Sequence, residues 1–265
     1  MGIAPCAFDS PGTLPPNEAG MAASYYIGTS GWHYPHWQGP FYPPDLAPAA
    51  WLEHYARHFA TVEINSSFYR LPSQAAVRAW KNVTPAGFTF AIKASRYITH
   101  MKKLRAPRAS LRAFLAVTQA LGNKCGPLLF QLPPRWRCNH ERLAAFLKAL
   151  PKNRACAFEL RDPSWHNPEV YALLRRYNAA FCMYELAGFE SPQVLTADFV
   201  YIRLHGPAAY AYGGSYSDSA LEQWAERIRF WKQLRRVYVY FDNDEAGHAA
   251  RNALALRALL EGRRV

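Results

Sequence analysis

Eight short apolar or β-branched runs recur along this 265-residue chain, separated by longer segments of helical periodicity, and that rhythm limits what it can fold into. The runs are YYIGTS (25 to 30), TVEINS (61 to 66), FTFAIKA (88 to 94), PLLFQLP (127 to 133), ACAFELR (155 to 161), AFCMYEL (180 to 186), FVYIRLH (199 to 205) and VYVYFDN (237 to 243). Near-continuous hydrophobicity marks strands covered on both faces, so a parallel sheet is expected. Helical segments such as PAAWLEHYARHFA, SQAAVRAWKNV, RASLRAFLAVTQALG and LEQWAERIRFWKQLR lie between them, while the sixth connection, AGFESPQVLTAD, is too short for a helix. Pro48, Pro168 and the stretch from Asp218 to Leu221 stand where helices start, and Gly122 and Gly262 where they stop. The repeat count and length predict an α/β fold, a single-domain TIM-like (β/α)8 barrel; an open doubly wound sheet is the alternative, because periodicity does not report closure.

The first stretch, MGIAPCAFDSPGTLPPNEAG, lacks a basic start followed by an apolar block. It reads as a flexible, disordered extension over residues 1–23, ahead of a barrel domain at 24–265. Five cysteines without CxxC spacing argue against a disulfide framework and a structural zinc site, and fit reduced thiols in a cytoplasmic protein. No apolar run approaches the roughly 18 to 20 residues of a membrane span, so no membrane partner is expected. Lys and Arg exceed Asp and Glu by 31 to 19, a net charge of +12, which favours anionic partners or simply gives a solvated basic exterior.

In a barrel, chemistry gathers at the C-terminal ends of the strands. The last positions of the runs carry Thr29 and Ser30, Glu63 and Asn65, Lys93, Gln131, Glu159 and Arg161, Glu185, Arg203 and His205, then Asp242 and Asn243. Side chains alternate along a strand, so Glu63 with Asn65, Glu159 with Arg161, and Arg203 with His205 each share a face. Converging inward, they form one cavity. The competing structural reading is a set of buried ion pairs, such as Glu63 with Lys93 or Glu159 with Arg203, that holds the interior without any reaction.

Glu159 or Glu63 suits general acid or base work, Lys93 anion binding or imine formation, and His205 a proton shuttle or a structural hydrogen bond. Arg161 and Arg203 are forks for a carboxylate or phosphate. Cationic Lys and Arg at the strand ends would repel a divalent cation, so no metal site and no cofactor is expected. Aromatic residues, among them Trp32, Trp37, Phe68, Tyr69, Trp136, Trp165, Tyr210, Tyr212 and Tyr216, are expected at the same rim, there to stack a ring or only to close the mouth. The glycine-rich YAYGGSYSDS (210–219) reads as a mobile loop and a candidate lid. P-loop, GxGxxG and GxSxG motifs are absent.

The motifs IGTSGW, FYP, VEINSSFYRLP, FAIKAS with ITH, LLFQLPP, FELRDPSW, YIRLHG and VYVYFDND together resemble the YecE-like family, domain of unknown function 72, from about Tyr26 to the last helix. The resemblance implies a TIM-barrel-like fold and carries no established reaction. Positions matching its motifs are Gly28, Ser30, Gly31 and Trp32; Glu63, Asn65, Phe68 and Tyr69; Lys93 and His100; Gln131; Glu159 and Trp165; Arg203, His205 and Gly206; and Asn243. In the sixth run, where relatives commonly carry an aspartate, this chain reads MYELAGFESP, with Glu185 as the candidate replacement.

The expectation is a cytoplasmic enzyme, a metal-independent hydrolase, lyase or isomerase, acting on a small anionic, sugar-like or phosphorylated substrate. Glu159, Lys93, His205 and Glu63 are its candidate catalytic residues. Thr29, Trp32, Asn65, Phe68, Tyr69, Gln131, Arg161, Trp165, Arg203 and Asn243 are its candidate substrate-binding residues. Two alternatives stay open: a nucleic-acid-binding or processing protein that uses its charge and rim aromatics, and a non-catalytic metabolite-binding protein.

Overall fold

The structure, a computed structural model, describes residues 23–262; the expected N-terminal extension, apart from its last residue, and Cys6 lie outside the described residues. In chain order the strands are β1 (Ser24–Thr29), β2 (Thr61–Ile64), β3 (Thr89–Lys93), β4 (Cys125–Leu132), β5 (Cys156–Leu160), β6 (Ala180–Leu186), β7 (Phe189–Glu190), β8 (Phe199–Leu204) and β9 (Arg236–Phe241). The helices are α1 (Trp51–His58), α2 (Gln74–Val83), α3 (Pro107–Gln119), α4 (His140–Ala149), α5 (Pro168–Arg176), α6 (Asp218–Phe230) and α7 (His248–Leu260). Each of the eight runs is a strand. The sixth connection holds no helix: β7 folds back antiparallel on β6.

The other eight strands are parallel, in the order β1-β9-β8-β6-β5-β4-β3-β2. β1 and β2 meet at the seam through one bridge, Ser30 with Glu63, where Gly31 N donates to Glu63 O at 2.8 Å. Gly28 permits this approach: a Cβ there would lie 2.4 Å from Thr61 O. The result is a TIM-like barrel nearly closed on itself.

Side-chain alternation divides the core in two. Outward residues such as Ile27, Val62, Phe90, Phe130, Phe158 and Val239 pack beneath the helices. Inward residues form a separate cluster, in which large rings from β8 and β9 (Phe199, Tyr201, Tyr238, Tyr240) share the interior with small Ala91, Ala157 and Ala180. Large against small fills the lower barrel with side chains, so polar groups are left for its upper, C-terminal end. Helix starts follow local chemistry: Ser73, Asn139, Asn167 and Ser217 each accept an N-cap hydrogen bond, and Pro107 and Pro168 occupy first-turn positions.

Candidate functional site at the barrel mouth

Arg203, projecting inward from β8 and fully buried, organises the mouth. Its Nε donates to Glu63 Oε2 at 3.1 Å and its Nη2 to Glu63 Oε1 at 2.8 Å. Nη2 also reaches Asp242 Oδ2 at 2.9 Å and Ser30 Oγ at 3.1 Å, while Nη1 donates to Glu159 Oε2 at 2.8 Å. With His205 Nε2 3.3 Å from Nη1, every face of the guanidinium is engaged.

The carboxylates are equally occupied. Ser30 Oγ and Tyr201 OH donate to Glu63 at 2.5 and 2.6 Å, and Arg161 Nε donates to Glu159 Oε1 at 2.5 Å. Burial pushes the Glu159 carboxyl up, but Arg161 and Arg203 together reverse that and hold it well below the usual carboxylate range. Asp242 is likewise lowered, burial being overridden by Arg203 and His205. His205 Nδ1 lies 3.0 Å from Asp242 Oδ2, yet burial and then Arg203 push the imidazole down, which favours its neutral form. The expected Glu159–Arg203 pair is therefore present. The expected Glu63–Lys93 pair is not: Glu63 is taken by Arg203 from across the barrel.

Lys93 is left over. Its side chain is buried, 7% exposed, with Nζ 4.4 Å above the centre of the Phe68 ring. Among the described residues it has no carboxylate within 4.0 Å and no side-chain hydrogen bond. Burial, then Arg203, push its pKa down to about 8. His100, edge-on to the same Phe68 ring, is pushed down to about 4 by burial and the charges of Lys93 and Arg96.

Not every sequence candidate joins this group. Thr29 points to α1, donating to Tyr55 OH at 2.9 Å, because β1 turns Ser30 inward instead. Asn243 faces away from the barrel axis and holds Gly214 O and Asn252. Glu185 also faces outward, accepting from Trp224 Nε1 at 2.9 Å, and Tyr184 takes the inner position on β6. Trp165 is wholly buried against Trp136, whose carbonyl accepts its Nε1 proton. Gln131 is buried at the end of β4, beside Glu159 in register. Trp37, Tyr42 and Tyr216 are core packing, whereas Tyr69, Tyr210 and Tyr212 are exposed. The sequence marks Ser30 and Asp242 only as polar strand-end residues without a site role, and it does not mark Tyr201, which alternation back from Arg203 along the same strand is the signal to find.

The glycine-rich segment leans over the mouth. Tyr212, in the left-handed region at φ 69°, sets its ring edge-on to His205 with centroids 5.5 Å apart. Its far end is tied down: Gly214 N donates to Glu245, and Tyr216 N to Asn252 Oδ1 at 3.1 Å. The tip, Tyr210 to Tyr212, is exposed, whereas Gly213 and Tyr216 are buried.

A second feature adjoins this network. An aromatic-walled cavity of about 780 Å³ lies between the strand-end loops of β1 and β2 and helices α1 and α2. Tyr34 is shared: its ring lines the cavity, and its hydroxyl donates to Ser30 O at 2.5 Å.

Residues 26–265 match the profile of a family described as a protein of unknown function, DUF72. The chain is 29% identical over 269 residues to the UPF0759 protein YunF of Bacillus subtilis, an alignment covering 89% of this chain and 94% of that one. It is 31% identical over 141 residues to the UPF0759 protein YecE of Escherichia coli, covering 53% and 49%. A crystal structure of a DUF72 family protein from Thermotoga maritima matches with a TM-score of 0.80 and 27% identity, over 90% of this chain and 99% of that one. Another, from Enterococcus faecalis, matches in fold with a TM-score of 0.76 at 20% identity, covering 89% and 95%.

Proposed function

The chain belongs to the DUF72 family of proteins of unknown function, and on that premise we propose that it is an enzyme acting on a small anionic, sugar-like or phosphorylated substrate by acid/base chemistry that needs no metal. One observation carries the reading: among the described residues Lys93 is a buried ammonium without a counter-ion, beside carboxylates that Arg203 and Arg161 already neutralise. A substrate anion supplies the missing partner. The same cations disfavour a divalent metal ion at this position.

The roles divide by protonation. Glu159, held ionised by two guanidinium groups, anchors them and is too weak a base to take a substrate proton near neutrality. Lys93, with a pKa of about 8, exchanges a proton in that range and binds the anion in its charged form. His205 and Asp242 fix the orientation of Arg203 from the opposite side. Tyr212 shields the mouth from water once substrate is seated. The test is a thermal-shift screen of carboxylated and phosphorylated sugars on the whole protein and on Lys93→Met. Hits that stabilise the wild type and lose at least tenfold in affinity in the variant support the reading; hits indifferent to Lys93 defeat it.

A second reading, nucleic-acid binding, is favoured by the distribution of charge. Residues 64–140 contain thirteen Lys and Arg and no Asp or Glu. Arg96, Lys102, Lys103, Arg105 and Arg108 of that stretch are exposed beside the mouth, next to exposed Tyr97. A polyanion held there binds with a steep negative salt dependence in a gel-shift titration. Binding that is absent at low salt removes this reading.

A further inference from the structure

We infer that the cavity beside the mouth is a second binding subsite, which takes a planar heteroaromatic ring belonging to the substrate whose anionic end meets Lys93. This rests on the reading of Lys93 given above and adds the substrate's other half. At about 780 Å³ the cavity has the size of a small-molecule pocket. Trp32, Tyr34, Tyr69 and Trp80 bring rings to its lining, Trp32 and Trp80 meeting edge to face at 85° with centroids 5.2 Å apart, while Leu52 and Val83 add aliphatic surface. Tyr69 is 71% exposed, a large side chain left in solvent at the cavity's edge.

The polar group that selects a heteroatom-bearing ring over an alkyl chain is Asn65. Its side chain makes no hydrogen bond among the described residues, and its Oδ1 is shut away from solvent. Asn65 as a whole is only half-buried, but a carbonyl oxygen shut away without a partner is destabilising, and a turn of this side chain toward the cavity lets a ring N–H satisfy it. An aliphatic occupant would leave that oxygen unsatisfied.

Connectivity places the two subsites side by side. The short helical turn after β2 presents Asn65, Ser66 and Tyr69 to the cavity and, between them, Phe68 to Lys93. Tyr34 joins them from the other wall: its hydroxyl is hydrogen-bonded at Ser30, whose own hydroxyl binds Glu63. One turn of chain thus carries the wall of the ring site and the platform of the lysine.

Calorimetry on the whole protein with three probes separates the two ideas: AMP (ring and anion), adenosine (ring alone) and ribose 5-phosphate (anion alone). The ring site predicts that AMP binds about tenfold or more tighter than ribose 5-phosphate, the gain expected from one stacked base. Ala79→Trp, which fills the cavity from α2, and Asn65→Leu should each erase that difference, with far-UV circular dichroism confirming that the variants fold. Lys93→Met should weaken AMP and ribose 5-phosphate and leave adenosine unchanged. Equal affinity for AMP and ribose 5-phosphate, or a ring-dependent gain that survives Ala79→Trp, overturns the ring site while leaving the anion site standing. Adenosine binding lost in Ala79→Trp, together with phosphate probes indifferent to Lys93, upholds the ring site and overturns the anion site. If the cavity is covered by a second copy of the chain, sedimentation shows a dimer that Ala79→Glu splits and none of the ring probes binds, which also overturns the ring site.

Discussion

Arg203 and Glu63 lie 140 positions apart in the chain, are both excluded from solvent, and meet across the barrel through two hydrogen bonds of 2.8 and 3.1 Å. Removing one partner of such a pair leaves the other as an uncompensated buried charge. Arg203→Met strands Glu63 and deprives Glu159 and Asp242 of their shared cation. It should lower stability by about 3–5 kcal/mol, read from urea unfolding. A loss within the error of that measurement would show that water enters the mouth freely.

Acid should unfold the protein through the same network. Glu159 and Asp242 are held below their ordinary values of 4.5 and 3.8, so their contribution is fully present above those values and disappears as pH falls through the lower folded ones. Stability measured by denaturant titration should fall steeply below pH 4.5 in the wild type and more shallowly in Glu159→Gln. Parallel profiles would count against this assignment.

Lys93 acts at the other end of the pH scale. Its folded value is lowered from 10.5 to about 8, so between these limits the unfolded chain holds a proton that the folded one has released. Stability from this group is therefore complete above pH 10.5 and lost as pH falls toward 8. Between pH 7.5 and 10 the wild type should gain about 2–3 kcal/mol relative to Lys93→Met. A pH-independent difference would mean that Lys93 titrates normally.

Gly206 begins the loop over the mouth at φ +102°, and a Cβ there would stand 2.2 Å from Gly213 O. Gly206→Ala must displace one side of the loop, at a loss of about 1–3 kcal/mol. Limited proteolysis should cut near Tyr210 faster in the variant, with β8 and β9 still protected from hydrogen exchange. An unchanged cleavage rate would refute the contact.

Lys124, 6% exposed, donates its ammonium protons to the carbonyls of Lys81 and Thr84, both at 2.6 Å, at the end of α2. It caps a helix terminus and is no second anion site. Lys124→Met should destabilise the protein by about 1–3 kcal/mol without altering anion binding, as measured by thermal unfolding and calorimetry.

Legible in the sequence alone are the eight strands, the helices between most of them, and the polar character of the strand ends. Those are local properties, written in the period of apolar residues and in caps such as Asn167 and Pro168. Alternation along a strand is covalent geometry, so the sequence also groups Glu159 with Arg161 and Arg203 with His205, while which face of each strand points inward is a property of the closed barrel. Tertiary structure decided the partners. Pattern alone matched Glu63 with Lys93 on a neighbouring strand, but the interior is narrow, and Arg203 reaches three carboxylates from the far side with a fork that Lys93 lacks. Thr29 and Ser30 are both polar, so composition could not say which one faces in; the bridge at the seam between β1 and β2 chose Ser30. The same is true of Glu185, which hydrophobic patterning places at a strand end and packing turns toward Trp224. Lys93 became the distinctive group of the mouth only because closure of the barrel gave every carboxylate near it to an arginine.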